Sequence, residues 1–115
     1  MSGKNLQSNY TGRTIYGKNV ILSIITLAAK EITGVVSLQG KGVKIDIDED
    51  NNISVDVFLK ILYGHSVSDV AFRVQENIKR SVETMSVYRI NDVNVNVLEV
   101  GFEEESWANL RAKPS

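Results

Sequence analysis

The sequence predicts an α+β fold: a small (β)αββαβ domain in which a three-stranded sheet carries two helices on one face. Three observations lead there. From Tyr63 to Ser86 the apolar residues Val67, Val70, Ala71, Val74, Ile78, Val82 and Met85 return every third or fourth position, which marks one face of a helix. Val43, Ile45 and Ile47 alternate with Lys44, Asp46 and Asp48. After the polar turn Glu49-Asp50-Asn51-Asn52, the residues Ile53, Val55, Val57, Leu59 and Ile61 alternate with Ser54, Asp56, Phe58, Lys60 and Leu62, the pattern of a β-hairpin. Behind the long helix Val93, Val95 and Val97 alternate with Asp92, Asn94 and Asn96.

In chain order, residues 1–13 read as a flexible polar arm. Thr14-Ile15-Tyr16 could be a short strand. The segment from about Asn19 to Thr33 has Ile21, Ile24, Ile25, Ala28 and Ile32 at helical spacing, with Asn19 as N-cap and Gly34 just beyond the C-terminus. Its β-branched residues favour a strand locally, but it is too long for an average strand and its polar residues do not alternate. Val20, Leu22 and Leu27 widen its apolar surface and predict a nearly buried helix. Val35 to Gly42, with Gly40 and Gly42, reads as a connector. For the long helix, Ser66 is the expected N-cap, with Asp69 at the capping-box position. In the last strand the apolar phase flips, so that Leu98, Val100 and Phe102 take the other register; a bulge would produce this. Residues 14–102 thus form one domain, and residues 103–115 a charged tail with Trp107 as its one large apolar group, expected to be frayed or ordered by a partner.

Composition limits the function. The chain of 115 residues suffices for one domain with a modest core. Its formal net charge of -1 argues against binding nucleic acid by bulk phosphate neutralisation. Without cysteine there is no disulfide, thiolate nucleophile or cysteine–metal site. No apolar run approaches the roughly 20 residues that span a bilayer, and the first residues lack the apolar core of a signal peptide. The expected location is cytoplasmic.

Each residue group that suggests chemistry also has a plainer reading. Asp46, Asp48 and Asp50 have the spacing that opens a calcium loop, but Asn51 stands where the loop needs glycine and Val57 where it needs glutamate, so a solvated hairpin tip is expected. No glycine pattern fits a phosphate cradle. The one histidine, His65, sits at the mouth of the long helix beside Tyr63 and Asp69, with no second histidine or serine elbow to support acid–base work; a surface histidine is the plainer reading. The element order is that of K-homology RNA-binding domains, but those use a GxxG loop and no two glycines here stand three apart. Arg73, Lys79 and Arg80 are interleaved with Glu76 and Glu83, as on a solvated helix face. Aromatic residues are more informative. Phe72 lies off the apolar stripe, and Phe58, with Leu62, Leu98 and Val100, forms an apolar minority on the open sheet face. Each can be incidental; together they make a candidate contact surface for a protein partner or second subunit, with the last strand as a possible free edge.

Gly42-Val43-Lys44, Tyr63-Gly64, Val70-Ala71, Val74-Gln75-Glu76-Asn77-Ile78-Lys79, Val82-Glu83-Thr84-Met85 and Val93-Asn94-Val95-Asn96-Val97, together with Val20-Ile21 and Gly34-Val35, resemble the alkaline-shock-protein family, the envelope stress response family of Gram-positive and related bacteria. The match covers residues 14–102. Departures are a short connector from Gly34 to Gly42, and Ser86-Val87-Tyr88 where a glycine is often found. The resemblance implies a non-enzymatic cytoplasmic protein linked to cell-envelope or alkaline stress, self-associating or bound to a protein partner, with indirect membrane association through an anchor protein. It brings no catalytic residue, cofactor or metal, and neither nucleic acid nor small-molecule substrate is expected. The alternatives are a K-homology-like RNA or small-ligand module, or a regulator linked to fatty-acid metabolism.

Overall fold

The computed structural model describes residues 16–102. The elements are α1 (Lys18–Lys30), β1 (Val35–Ile47), β2 (Asn52–Leu62), α2 (Val67–Met85) and β3 (Arg89–Gly101). The strands form one sheet in the order β1-β2-β3, β1 antiparallel and β3 parallel to β2. The predicted fold class is therefore the observed one. The arm, the Thr14-Ile15 part of the short strand and the tail with Trp107 lie outside the described residues.

β2 shows why the alternation was so regular there. It is the central strand, and Ile53, Val55, Val57, Leu59 and Ile61 are all buried. They pack beneath Ile21, Ile25, Ala28 and Ala29 of α1 and Val70, Val74, Ile78 and Val82 of α2 in one core. The two helices are also joined by a polar contact. Buried Asn77 donates from Nδ2 to the Ala28 carbonyl (2.7 Å) and to Glu31 Oε1 (3.0 Å), while its Oδ1 accepts from Arg80. The amide thus satisfies a carbonyl in the last turn of α1.

The ends of the helices differ in how well the sequence foretold them. At α2, Ser66 Oγ accepts from the Asp69 N–H (3.3 Å), as expected of the N-cap. At its other end Ser86 is extended, with φ -141°, so no glycine is required there. Its hydroxyl donates to the Val82 carbonyl (2.7 Å) and accepts from the Tyr88 N–H (3.2 Å), which closes the helix with a side chain. For α1 the N-cap is Gly17, not Asn19, because the N–H groups of Val20 and Ile21 already bond the Gly17 carbonyl. Tyr16 lies in no strand; its carbonyl accepts from Tyr88 Oη (3.0 Å). The helix ends at Lys30 rather than Thr33. The β-branched Ile32 and Thr33 leave it, and a turn closed by Val35 N–H to the Ile32 carbonyl (3.1 Å) reverses the chain. Gly34 in that turn has φ +103°, a left-handed conformation. Nor is α1 nearly buried, since Val20 and Leu27 are exposed.

The largest correction concerns Val35 to Gly42, which is strand and not connector. Val35 pairs with Ile61 and Leu38 with Leu59. The glycines do not end the strand; they let it bulge. Gln39 to Gly42 stand opposite Phe58 alone, with Gly40 at φ +55° and Gly42 at φ +74°, before Val43 resumes pairing with Val57.

Candidate interaction surface

The flip of phase in β3 is a bulge. Val97 pairs with Leu59 and Glu99 with Lys60, so Leu98 is the extra residue. Glu99 Oε2 then lies 3.6 Å from Lys60 Nζ. The bulge also corrects one expectation: Val100 comes opposite Ile61, on the helix side of the sheet, and does not share the open face with Leu98. On that open face an added Cβ at Gly40 would lie 3.3 Å from Leu98 Cδ1, so the bulge of β1 reaches across toward β3.

Beyond the bulge the parallel strands end together. The Tyr63 N–H donates to the Gly101 carbonyl (2.7 Å), and the Tyr63 and Phe102 rings meet with centroids 5.6 Å apart and planes tilted by 36°. Tyr63, Leu98, Val100 and Phe102 are 66%, 56%, 45% and 55% exposed. Large apolar side chains gathered at one end of a sheet and left wet are characteristic of a contact surface. Of the residues singled out from the sequence, Leu98 and Val100 belong to this end. Leu62 adjoins it but is half-buried, as is Phe58 in the middle of β2. Phe72 is 60% exposed on the outer surface of α2 and is a separate feature. Sequence reasoning missed Tyr63 and Phe102 as contact candidates; Gly64, which ends the strand after Tyr63, was the available signal. It also missed Val20, Leu27 and Met85, exposed on the helix layer.

The chemical motifs take structural roles. Asp48 Oδ1 accepts from the N–H groups of Asp50 (2.8 Å) and Asn52 (2.9 Å), so its carboxylate folds the hairpin tip. These bonds, that from Asn52 foremost, hold its pKa below the ordinary carboxylate value. Among the described residues no three His, Cys, Asp or Glu side chains are grouped as metal ligands. His65 is exposed, and its ring lies against Gly34: a methyl group there would be 3.1 Å from His65 Cδ2 and 2.8 Å from Val70 Cγ2. No described helix is long and apolar enough to cross a membrane.

Known proteins resemble this chain in both sequence and shape. The uncharacterised protein YqhY of Bacillus subtilis (strain 168) is 28% identical over 116 residues, covering 87% of this chain and 85% of the relative. An uncharacterised protein of Streptococcus pyogenes serotype M6 is 25% identical over 120 residues, covering 93% of each. Among solved structures, MamM CTD variants superpose with TM-scores of 0.51 and 0.53 at 17% and 16% identity. They cover 70% and 72% of this chain and 94% and 98% of their own. Some are copper and cadmium forms, but at such identity the likeness is one of fold alone. A family profile matches residues 6–102, nearly the whole chain, and on that match the chain belongs to the alkaline shock protein 23 family, described as having a cell envelope-related function.

Proposed function

We propose that the protein is a non-enzymatic adaptor or scaffold of cell-envelope or alkaline stress, acting by contact with a second copy or another protein and reaching the membrane only through a partner. The observation that carries this reading is the group of exposed apolar side chains at the end of the sheet, Tyr63, Leu98, Val100 and Phe102. Burying exposed apolar side chains is favourable by roughly 25 cal/mol per Å² of apolar surface removed from water. The side chains that could have suggested chemistry support the same reading, because Asp48 is engaged by backbone N–H groups and His65 packs on Gly34. The test is molar mass by light scattering after size exclusion across a concentration series, with Phe72→Asp and Leu98→Asp beside the wild type. A concentration-dependent oligomer that Leu98→Asp dissolves is the expected result, with Phe72→Asp reporting whether the outer surface of α2 takes part. A monomer throughout would sink self-association as the domain's own property.

A further inference from the structure

The two helices face each other along stripes of different chemistry. They run antiparallel: Tyr88, just after α2, bonds the carbonyl of Tyr16, just before α1, while Asn77 in the middle of α2 reaches Ala28 and Glu31 at the end of α1. Residues four, seven and eleven apart share one side of a helix. The bond from Asn77 to Glu31 therefore sets Val20, Ile24, Leu27 and Glu31 of α1 against Arg73, Asn77, Arg80 and Thr84 of α2. Asn77 is buried at the floor between them, and Val20, Leu27, Arg73, Arg80 and Thr84 stay exposed. The result is a groove with an apolar wall from α1 and a basic wall from α2. A hollow of about 260 Å³, lined by Arg80, Ser81, Thr84 and Met85, lies along the basic wall. Among the described residues neither Arg73 nor Arg80 has a carboxylate within ion-pair distance. Of the nearby acids, Glu31 is held by Asn77 and Glu83 by the Ile90 N–H, and Glu76 lies farther round α2 by helical angle and is exposed.

We infer that this groove takes the chain's own C-terminal tail, with the acids Glu103, Glu104 and Glu105 on the arginines and Trp107 against the wall of α1. An occupant that satisfies both walls must carry acid and a large apolar group close together, and Glu103-Glu104-Glu105-Ser106-Trp107 does so. The order fits as well. The chain leaves β3 at Phe102, whose ring meets Tyr63 at the end of the sheet from which α2 starts, so the acids come first to Arg73 and the indole next to Leu27 and Arg80. A guanidinium over the indole face adds a cation–π contact. The length suffices: residues 103–115 reach roughly 40 Å when extended, and α2, with its 19 residues, is about 28 Å long. This goes beyond the contact function proposed above, which uses the end of the sheet and not the helix layer.

The test reads the fluorescence of Trp107, the one tryptophan of the chain, in the full-length protein. Emission wavelength and acrylamide quenching are compared across a concentration series for the wild type, Leu27→Asp, Arg73→Glu and Leu98→Asp, with a peptide of residues 103–115 as the free reference. All three substitutions fall on exposed positions, where folding is usually kept. The expected result is a wild-type indole that emits to the blue of the peptide and is quenched severalfold less, at every concentration. Leu27→Asp and Arg73→Glu should each move both readings toward those of the peptide, and Leu98→Asp should leave them unchanged. A wild-type indole quenched like the peptide would overturn the docking. Shielding lost only in Leu98→Asp would overturn the groove and put the indole on the end of the sheet. Shielding that fades on dilution would overturn the chain's own tail as occupant and give the groove to the tail of a second copy. Molar mass is read on the same samples: a mass that never rises with concentration would sink self-association and leave the shielding of Trp107 standing.

Discussion

The two edges of the sheet are protected by different means. β1 is irregular along its own length. It bulges from Gln39 to Gly42 through two left-handed glycines, and it carries Lys41 and Lys44 at and beside the bulge, both exposed. Bulges and lysines are the usual defences of an edge strand, since both spoil the straight row of groups that a foreign strand needs. β3 interrupts its pairing only by single residues, Asn91 and Leu98, and from Asp92 to Val97 it pairs with β2 without a break. Its protection comes from outside, from Glu83 and Gln75 on α2, and stops before Val95. Among the described residues, one edge is guarded by its own bulge and lysines, the other by side chains of α2 over its first half.

The strongest way to break the comparison is at the root of β1. Gly34 accepts the Leu62 N–H at 2.7 Å and starts the strand from a left-handed conformation, with Val70 and His65 against it. Gly34→Ala places a methyl 2.8 Å from Val70 Cγ2 in a conformation that itself costs about 1–2 kcal/mol, with overpacking adding about 1–3 kcal/mol. A loss of roughly 2–5 kcal/mol in chemical denaturation is expected. A loss below about 1 kcal/mol would mean the turn relaxes freely. Next comes the closed half of β3. Glu83→Ala leaves the N–H of the buried Ile90 without its partner, at a cost of about 1–3 kcal/mol. Exchange of the Ile90 amide should quicken while those of β2 stay slow. If exchange quickens across the whole sheet at once, Glu83 serves global stability and not the edge.

A smaller effect is expected from stripping the defences of β1. Lys41→Val with Lys44→Val alters two exposed positions, where stability usually shifts by no more than about 0.5 kcal/mol. The readout is association: the double variant should self-associate at lower concentration than the wild type, and no change in mass would show that the bulge alone protects this edge.

The contrast between the edges also explains what was legible in the sequence. β2 and α2 each bury one face against the core, so the periods in Ile53–Ile61 and Val67–Met85 stood out plainly. The flip at Leu98 was visible as a change of phase. The strand from Val35 is hidden in the sequence, because the glycine-bearing bulge at Gly40 and Gly42 gives the same signal as a turn. Val20 and Leu27 widen the apolar surface of α1 in the sequence, but they lie off the stripe of Ile21, Ile25 and Ala28 and stay exposed. Leu98 and Val100, singled out in the sequence by the change of phase, are exposed at the end of the sheet. Tyr63 and Phe102 escaped because their meeting depends on the parallel register of β2 and β3, which no local pattern encodes. Long-range caps such as Gln75 on Val93 escaped for the same reason.

The smallest effect belongs to the hairpin tip that sets the register of β1 against β2. Asp48 is exposed, and its carboxylate accepts from Asn52 and Asp50, which lowers its folded pKa below the ordinary 3.8. A carboxyl whose pKa falls on folding contributes stability above its unfolded pKa and loses it as pH falls through the folded value. Asp48→Asn keeps the shape and removes the charge. The wild type should therefore melt slightly higher than the variant at neutral pH, and the difference should hold until pH approaches 3.8 and then shrink at lower pH. A difference that persists unchanged at the lowest pH would assign the tip's stability to the shape of the turn rather than to the charge on Asp48, and the register of β1 would then rest on the backbone bond from the Asp48 N–H to the Asn52 carbonyl.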